Sequence, residues 1–544
     1  MKRLGYCVGV LKPDEVIFTS EEPVSLGEFV IIESEELDGE RVRILGTITS
    51  VERLDAFFDR DHYSPEVYES IINLHRSPGI FRATVSIKGM LGDDLSLKNL
   101  RYPPRPGSQV FRADDRILKE IFSQGESKSH VKVGTLLGHK DVEVSVDLDQ
   151  IVSRHLAVLA ITGGGKSNAV SVILEEIAKK RGTAIVFDVH GEYESAEYLD
   201  DRNRNVVNPI DVRINLKELS ADEIATLCGI DFERSSRQYF VIQKLVECVS
   251  KRRNKASLAK FFKGLSDEGD IVDVFGDEEQ KIPFIDELIE TIENMIYAKN
   301  RRKKEGEEEY DENIIPNECG FYQAVQKEEL QGVYIRLENL KRKLGERIND
   351  RARSVVDQIK PGFINVLVMR NLDYDVMDVI VSHTLYKLLS ERKKSVHTGK
   401  SIINVPVVVV IEEAHIFAPY GSSTRTKEAL AKVAREARKF GLGVILVSQR
   451  PKGLDPDILS QMNNWVILRI VEPEDQKHIQ RASEILSGDL LNYLSALNPG
   501  EAVLLGPFVK IPLLVKFRKS KAKKAGGDIS AVEEWERWKR KAGY

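Results

Sequence analysis

The sequence predicts an α/β fold: a mostly parallel sheet covered by helices on both faces, preceded by a small β-barrel and interrupted by a helical insertion. Three observations predict it. Near-continuous aliphatic runs recur after residue 150, among them Leu156-Ala157-Val158-Leu159, Ala184-Ile185-Val186-Phe187, Val407-Val408-Val409-Val410-Ile411 and Val444-Ile445-Leu446-Val447. Such runs mark strands buried on both faces, and helical periodicity separates them. The first ~125 residues read differently, as short alternating runs broken by Gly, Pro and acidic turns. The chain has 544 residues, too long for one domain of roughly 100–200 residues.

Composition narrows the classes. With 42% hydrophobic and 30% charged residues the chain is globular. No run approaches the roughly 20 apolar residues that span a bilayer, and the N-terminus lacks the apolar block of a secretory signal. A cytoplasmic protein without a membrane partner is expected. Cys7, Cys228, Cys248 and Cys319 form no CxxC pair, so thiols rather than a disulfide framework are expected. A net charge of −5 excludes a globally basic nucleic-acid coat but not a local basic channel.

Taken in order, residues 1–125 form the barrel, the closed arrangement that leaves a small sheet no edges. Phe29-Val30-Ile31-Ile32, Val42 to Ile48 and Ala83 to Ile87 are its strands, and Pro103-Pro104-Arg105-Pro106-Gly107 is a rigid loop before one more. Residues 126–215 open the sheet domain. Residues 216–354 are the insertion, begun by a capping box at Ser220 and Glu223 and carrying a solvated charged run from Arg301 to Glu312. Residues 355–515 complete the sheet, which Trp465-Val466-Ile467, Ala502 to Leu505 and Leu513-Leu514-Val515 extend. Residues 516–544 are a basic tail (Lys516, Arg518, Lys519, Lys521, Lys523, Lys524), a Gly526-Gly527 break and a short amphipathic helix with Trp535 and Trp538.

The strongest motif is Ala160-Ile161-Thr162-Gly163-Gly164-Gly165-Lys166-Ser167, between a strand and a helical segment. That is the P-loop context. Glycines let backbone N–H groups turn inward around phosphate oxygens, and the helix start adds its positive end. Thr162 to Asn168 would then bind ATP, with Lys166 on the β- and γ-phosphates and Ser167 on Mg²⁺. Ala160 replaces the first Gly of the usual pattern, which the turn tolerates only at negative φ.

A second strand, Val407 to Ile411, ends in Glu412-Glu413-Ala414-His415, a Walker B arrangement. Glu412 stands at the Mg²⁺ position and Glu413 at the position that polarises the attacking water. Asp188 ends another strand, where an acid joins that network. Gln449 ends a fourth and senses the γ-phosphate. His190 and His415 read as structural. Arg438, on the shoulder of the helix around Leu430 and Val433, and Arg154, just before the P-loop strand, are candidates to complete a neighbouring subunit's site. Arg425 and Lys427 lie in a flexible basic stretch and are candidate DNA contacts in a channel.

Together these five motifs, including Asp188-Val189-His190-Gly191-Glu192-Tyr193, Ala434-Arg435-Glu436-Ala437-Arg438-Lys439 and Ser448-Gln449-Arg450-Pro451, resemble the HerA/FtsK group of P-loop ATPases, most closely the archaeal HerA translocases. The resemblance covers most of the chain. It implies a RecA-like P-loop ATPase core with an N-terminal small β-barrel and a helical insertion. It implies a homohexamer driven by ATP and Mg²⁺ on double-stranded DNA ends, in end resection with the NurA nuclease and in the setting of the Mre11-Rad50 repair complex. It assigns water activation to Glu413 and the composite intersubunit site to Arg438 and Arg154. Two alternatives stand beside it: a nucleotide-regulated ring that docks a nuclease without moving DNA, and a conjugation-type DNA pump.

Overall fold

The computed structural model describes residues 1–35, 39–54, 79–92, 97–122, 128–264, 282–304, 321, 324–483, 485–522 and 531–542. The N-terminal sheet consists of β1 (Arg3–Val8), β2 (Glu15–Ser20), β3 (Phe29–Glu35), β4 (Arg41–Leu54), β5 (Ile80–Leu91), β6 (Leu97–Lys98) and β7 (Gln109–Arg112). Its order is β2-β1-β7-β3-β4-β5-β6, and β5 pairs back onto β2. Six strands therefore close into a barrel, with β6 appended. The unbroken apolar run in β3 has a direct cause. Val30 and Ile32 fill the barrel with Phe18, Ile44 and Val110. Phe29 and Ile31 face the other way and pack with Leu118 and Phe122 of α1 (Asp115–Phe122). One face of the strand closes the barrel and the other docks it.

The second sheet has eleven strands in the order β12-β13-β11-β14-β15-β10-β16-β17-β18-β8-β9. Those in the parallel part are β10 (Leu156–Leu159), β11 (Thr183–Asp188), β12 (Val207–Asp211), β13 (Ile364–Val368), β14 (Val407–Ile411), β15 (Leu442–Ser448) and β16 (Asn464–Ile467). The antiparallel extension is β17 (Glu501–Leu505), β18 (Leu513–Phe517), β8 (His130–Leu136) and β9 (His139–Asp147). Apolar clusters pack on both faces of this sheet, which is why its strands carry no alternation. Tyr493 of the core donates its hydroxyl to the Ile48 carbonyl of the barrel at 2.5 Å, tying the two sheets together.

The helices used below are α2 (Leu148–Arg154), α3 (Lys166–Lys179), α4 (Ala221–Leu227), α5 (Phe232–Gly264), α6 (Phe284–Lys304), α7 (Lys327–Leu344), α8 (Tyr374–Thr398), α9 (Ala414–Phe417) and α10 (Arg425–Glu436). Between β12 and β13 the described chain is helical, from α4 to α7. Both arms of the Ser220–Glu223 capping box form. The charged run that starts at Arg301 is helical to Lys304; its remainder lies outside the described residues, as do Cys319, Lys523, Lys524 and the Gly526-Gly527 break. One expectation needs correcting: Cys248, buried in α5, is disulfide-bonded, while Cys7 and Cys228 are buried thiols. The spacing of the cysteines carried no sign of that bond.

Candidate nucleotide site and its outlying arginines

Parallel pairing sets the site. The register aligns Leu159 with Ser448, Ile411 with Leu446, and Phe187 with Ile411. The C-terminal ends of β10, β15, β14 and β11 therefore meet at one edge, the ligand-binding edge of such sheets. The P-loop, Gln449, Glu412-Glu413 and Asp188 all emerge there.

The P-loop turn depends on two glycines at positive φ, Gly163 at 76° and Gly165 at 100°. Gly165 is doubly constrained, since an added Cβ would stand 2.8 Å from the Gly500 nitrogen. The Gly500 N–H in turn donates to the Gly164 carbonyl at 3.1 Å. The residues with positive φ do not include Ala160, so its methyl is tolerated. Thr162 donates its hydroxyl to Gln449 Oε1 at 2.7 Å, joining the loop to the β15 end.

Lys166 opens α3 and its Nζ lies 3.1 Å from Glu413 Oε1. Both residues are largely sequestered, so this contact gains from a low local dielectric. Glu413 has φ 49° and ψ 43°, a left-handed conformation that costs a non-glycine residue of order 1–3 kcal/mol and clusters at functional sites. The twist turns its carboxylate back toward the P-loop. Its Oε2 lies 3.3 Å from His415 Nδ1 yet has no hydrogen-bond partner among the described residues, although it is buried. A buried carboxylate oxygen beside Lys166 with no donor on it has the chemistry of a general base.

His415 accepts or donates at Ser448 Oγ, 3.2 Å away, and burial pushes its pKa down. His190 is exposed, with Nε2 3.8 Å from Glu413 Oε1.

Four expected residues make contacts that the sequence did not show. Asp188 accepts from the backbone N–H groups of Gly191, Glu192 and Tyr193 at 2.8–3.0 Å. These bonds shape the loop after β11, and Oδ2, which takes only the Tyr193 N–H, keeps acceptor capacity. Asn168 bonds the Arg518 carbonyl and the Ser520 N–H with its side chain, leaving only its backbone at the helix start for phosphate. Arg425 and Lys427 do not form a flexible stretch. Thr424 caps α10, Arg425 Nε donates to Thr226 Oγ1 at 2.6 Å, and Lys427 Nζ pairs with Asp455 at 2.6 Å. Both side chains are tied down within the chain, which leaves little of either for a DNA backbone.

The arginines lie elsewhere. Helix α10 ends at Glu436, and Arg438 sits, exposed, on a following 3₁₀ turn, Ala437–Phe440. The apolar spacing through Ala437 reads as one helix, but the tighter turn rotates Arg438 off the shoulder. Arg154 ends α2, half-buried. Both precede strands of the parallel sheet, so they occupy the edge opposite the P-loop. β15 alone, with seven residues, places about 23 Å between the edges at ~3.3 Å per residue.

A profile for the HAS barrel domain matches residues 4–92, and a profile described as "Helicase HerA, central domain" matches residues 131–388. Over 537 residues the chain is 35% identical to the DNA double-strand break repair helicase HerA of Sulfurisphaera tokodaii, covering 98% of this chain and 97% of that protein. The chain belongs to the HerA helicase family. The protein of the same name from Sulfolobus acidocaldarius is 33% identical over 542 residues, covering 98% and 97%. Among solved structures, the plasmid coupling protein TrwB in complex with ADP and Mg²⁺ aligns with TM-score 0.42 and 13% identity over 76% of this chain and 94% of that one. At that score the likeness carries no functional argument.

As a HerA-family P-loop protein the chain is an ATP-hydrolysing enzyme. The residues present fit a Mg²⁺ ion. Ser167 at the first turn of α3 and Glu412 at the end of β14 offer oxygen donors only, the ligand type Mg²⁺ takes while its remaining positions go to phosphate and water. When bound, the ion would neutralise phosphate charge. Tyr193 was missed from the sequence: fully buried, it donates its hydroxyl to Glu412 Oε1 and fixes that carboxylate. An aromatic ending the Asp188 loop was its only sign.

Burial also sets a pH dependence. His155 is 2% exposed. Desolvation holds its pKa below the ordinary 6.5, against the opposing pull of its Ala434 hydrogen bond. The unfolded chain therefore binds a proton that the folded chain refuses. Stability is complete above the unfolded value and falls as pH drops below about 6.5, by up to ~1.4 kcal/mol per pH unit per such histidine. Thermal unfolding from pH 8 to 5 should show Tm flat at first and then falling, with a shallower fall in His155→Gln.

Proposed function

We propose that this protein is an ATP-driven double-stranded DNA translocase that works as a homohexameric ring at DNA ends, together with a NurA-type nuclease, in break repair. The observation that carries the reading is the split site. Phosphate lysine and water-activating carboxylate meet at one edge of the sheet, Lys166 to Glu413 at 3.1 Å, whereas Arg438 and Arg154 stand at the other edge. An arginine so far from its own nucleotide serves a neighbour's, and a ring of identical chains supplies one at every site. The relatives' name, DNA double-strand break repair helicase, supports the substrate and the process.

Lys166, Ser167 and the loop amides would hold the triphosphate, Glu413 would take the proton of the attacking water, and Thr162–Gln449 would register the γ-phosphate. Hydrolysis would alter the contact between neighbours and move the duplex. The test measures ATP turnover and assembly together. Linear duplex DNA should raise turnover severalfold, and light scattering with ATP should give six chains. A monomer with full turnover that ignores duplex would sink the proposal; a ring stimulated by nuclease but unable to displace a triplex strand would favour the scaffold reading.

A further inference from the structure

The residue between Arg154 and the P-loop strand carries the least comfortable backbone near the site. His155 has φ 59° and ψ 166°, a region essentially reserved for glycine. It is nevertheless a buried histidine, and its ring is fully used. Nδ1 accepts the Val444 N–H at 3.1 Å, which leaves the ring proton on Nε2. Nε2 then donates to the Ala434 carbonyl at 3.3 Å. Ala434 lies in the last turn of α10, just ahead of the 3₁₀ turn that carries Arg438, and α2 packs against that turn. The ring thus bolts the helix ending in Arg154 to the helix leading to Arg438. The far end of the turn is clamped by Arg392, which donates to the Phe440 carbonyl at 2.9 Å.

We propose that His155 is a positioning residue for the trans-acting arginines: its imidazole bridge to Ala434 and Val444 fixes Arg154 and Arg438 as one unit presented to the adjacent subunit. This rests on the split-site reading above. The strain supports it. Glycine would fit the backbone without penalty, so the imidazole is kept at a conformational cost and its two hydrogen bonds are what it returns. Packing alone does not require a bifunctional ring there. His155 makes no contact with the P-loop; β10 separates them.

The test compares His155→Gly, which relieves the backbone and removes both bonds, with His155→Gln, whose amide can reproduce the Nε2–H donor. In the full-length protein with duplex DNA, His155→Gly should lower kcat by about 10²-fold, the loss that follows a displacement of about 1 Å, while KM for ATP stays at the parental value. His155→Gln should recover most of kcat. Circular dichroism checks that both are folded; should His155→Gly not be, His155→Phe, which keeps a ring but loses both hydrogen bonds, takes its place in the comparison with His155→Gln. Mixed rings then locate the defect. Subunits with His155→Gly keep their own P-loop and Glu413, and subunits with Glu413→Gln keep their arginines, so mixing the two should restore turnover. Restoration with Arg438→Ala plus Glu413→Gln but not with His155→Gly plus Glu413→Gln would show that His155 acts through its own P-loop and overturn the inference. Failure of both mixtures would overturn the split-site reading instead. Parental kcat in His155→Gly would overturn the inference outright.

Discussion

Replacing Arg438 by alanine is expected to lower DNA-stimulated ATP turnover by about 10³–10⁵-fold, the range an arginine finger supplies to phosphoryl transfer. Stability should barely change. Arg438 is exposed on its 3₁₀ turn, and such surface substitutions stay within about ±0.5 kcal/mol. Nucleotide binding should survive as well, because Lys166, Ser167 and the loop amides belong to the other edge of the sheet. The variant would bind ATP, assemble and stall. Mixing it with Glu413→Gln subunits, which are inactive for a different reason, should revive turnover, since some interfaces then pair an intact P-loop with an intact arginine. Parental turnover by Arg438→Ala alone would remove it from the mechanism.

Glu413→Gln is expected to lower turnover by about 10²–10⁴-fold, the contribution of a positioned general base. The substitution leaves shape and backbone alone, as Gln meets the same left-handed strain at φ 49°. What it removes is the charge that pairs with Lys166 at 3.1 Å and the buried Oε2 that lacks a partner. Freed from its carboxylate, Lys166 has only phosphate to neutralise. ATP affinity should therefore hold or rise while hydrolysis collapses. Equilibrium binding of a fluorescent ATP analogue beside steady-state turnover separates the two. Hydrolysis within a few-fold of the parent, or affinity lost in step with turnover, would assign Glu413 to binding.

How much of this was legible in advance divides along a physical line. The P-loop was readable because strand, turn and helix are contiguous: the glycines at 163 and 165 do locally what the pattern says they do. The Glu412-Glu413 pair was readable for the same reason. Asp188 was placed correctly at a strand end, but its job was not visible. An acid in that position can serve a metal, a nest of amides or both, and the amide nest becomes visible only with the fold of residues 189–193. The barrel was expected, including the strand after the Pro103 to Gly107 loop, β7, which lies beyond the segment the barrel profile covers. The Arg438 turn was hidden because a 3₁₀ turn keeps apolar spacing for one more residue. His155, opening an aliphatic strand, looked like an ordinary strand residue until its φ was known.

The chain leaving β18 does not hang loose. Asn168 grips residues 518 and 520, and Glu175 receives Ser520, Arg518 and Ala522; burial would raise that carboxyl, yet these bonds hold it below its usual range. The splint therefore lies along the same helix whose first residue is Lys166. Trimming the protein just after Phe517 would strand the buried Glu175 on that rod and leave Glu176 with Lys179 alone as its cation. The damage would surface as weakened triphosphate capture, because the deleted residues 518 and 520 hold Asn168 at the start of the phosphate-loop helix.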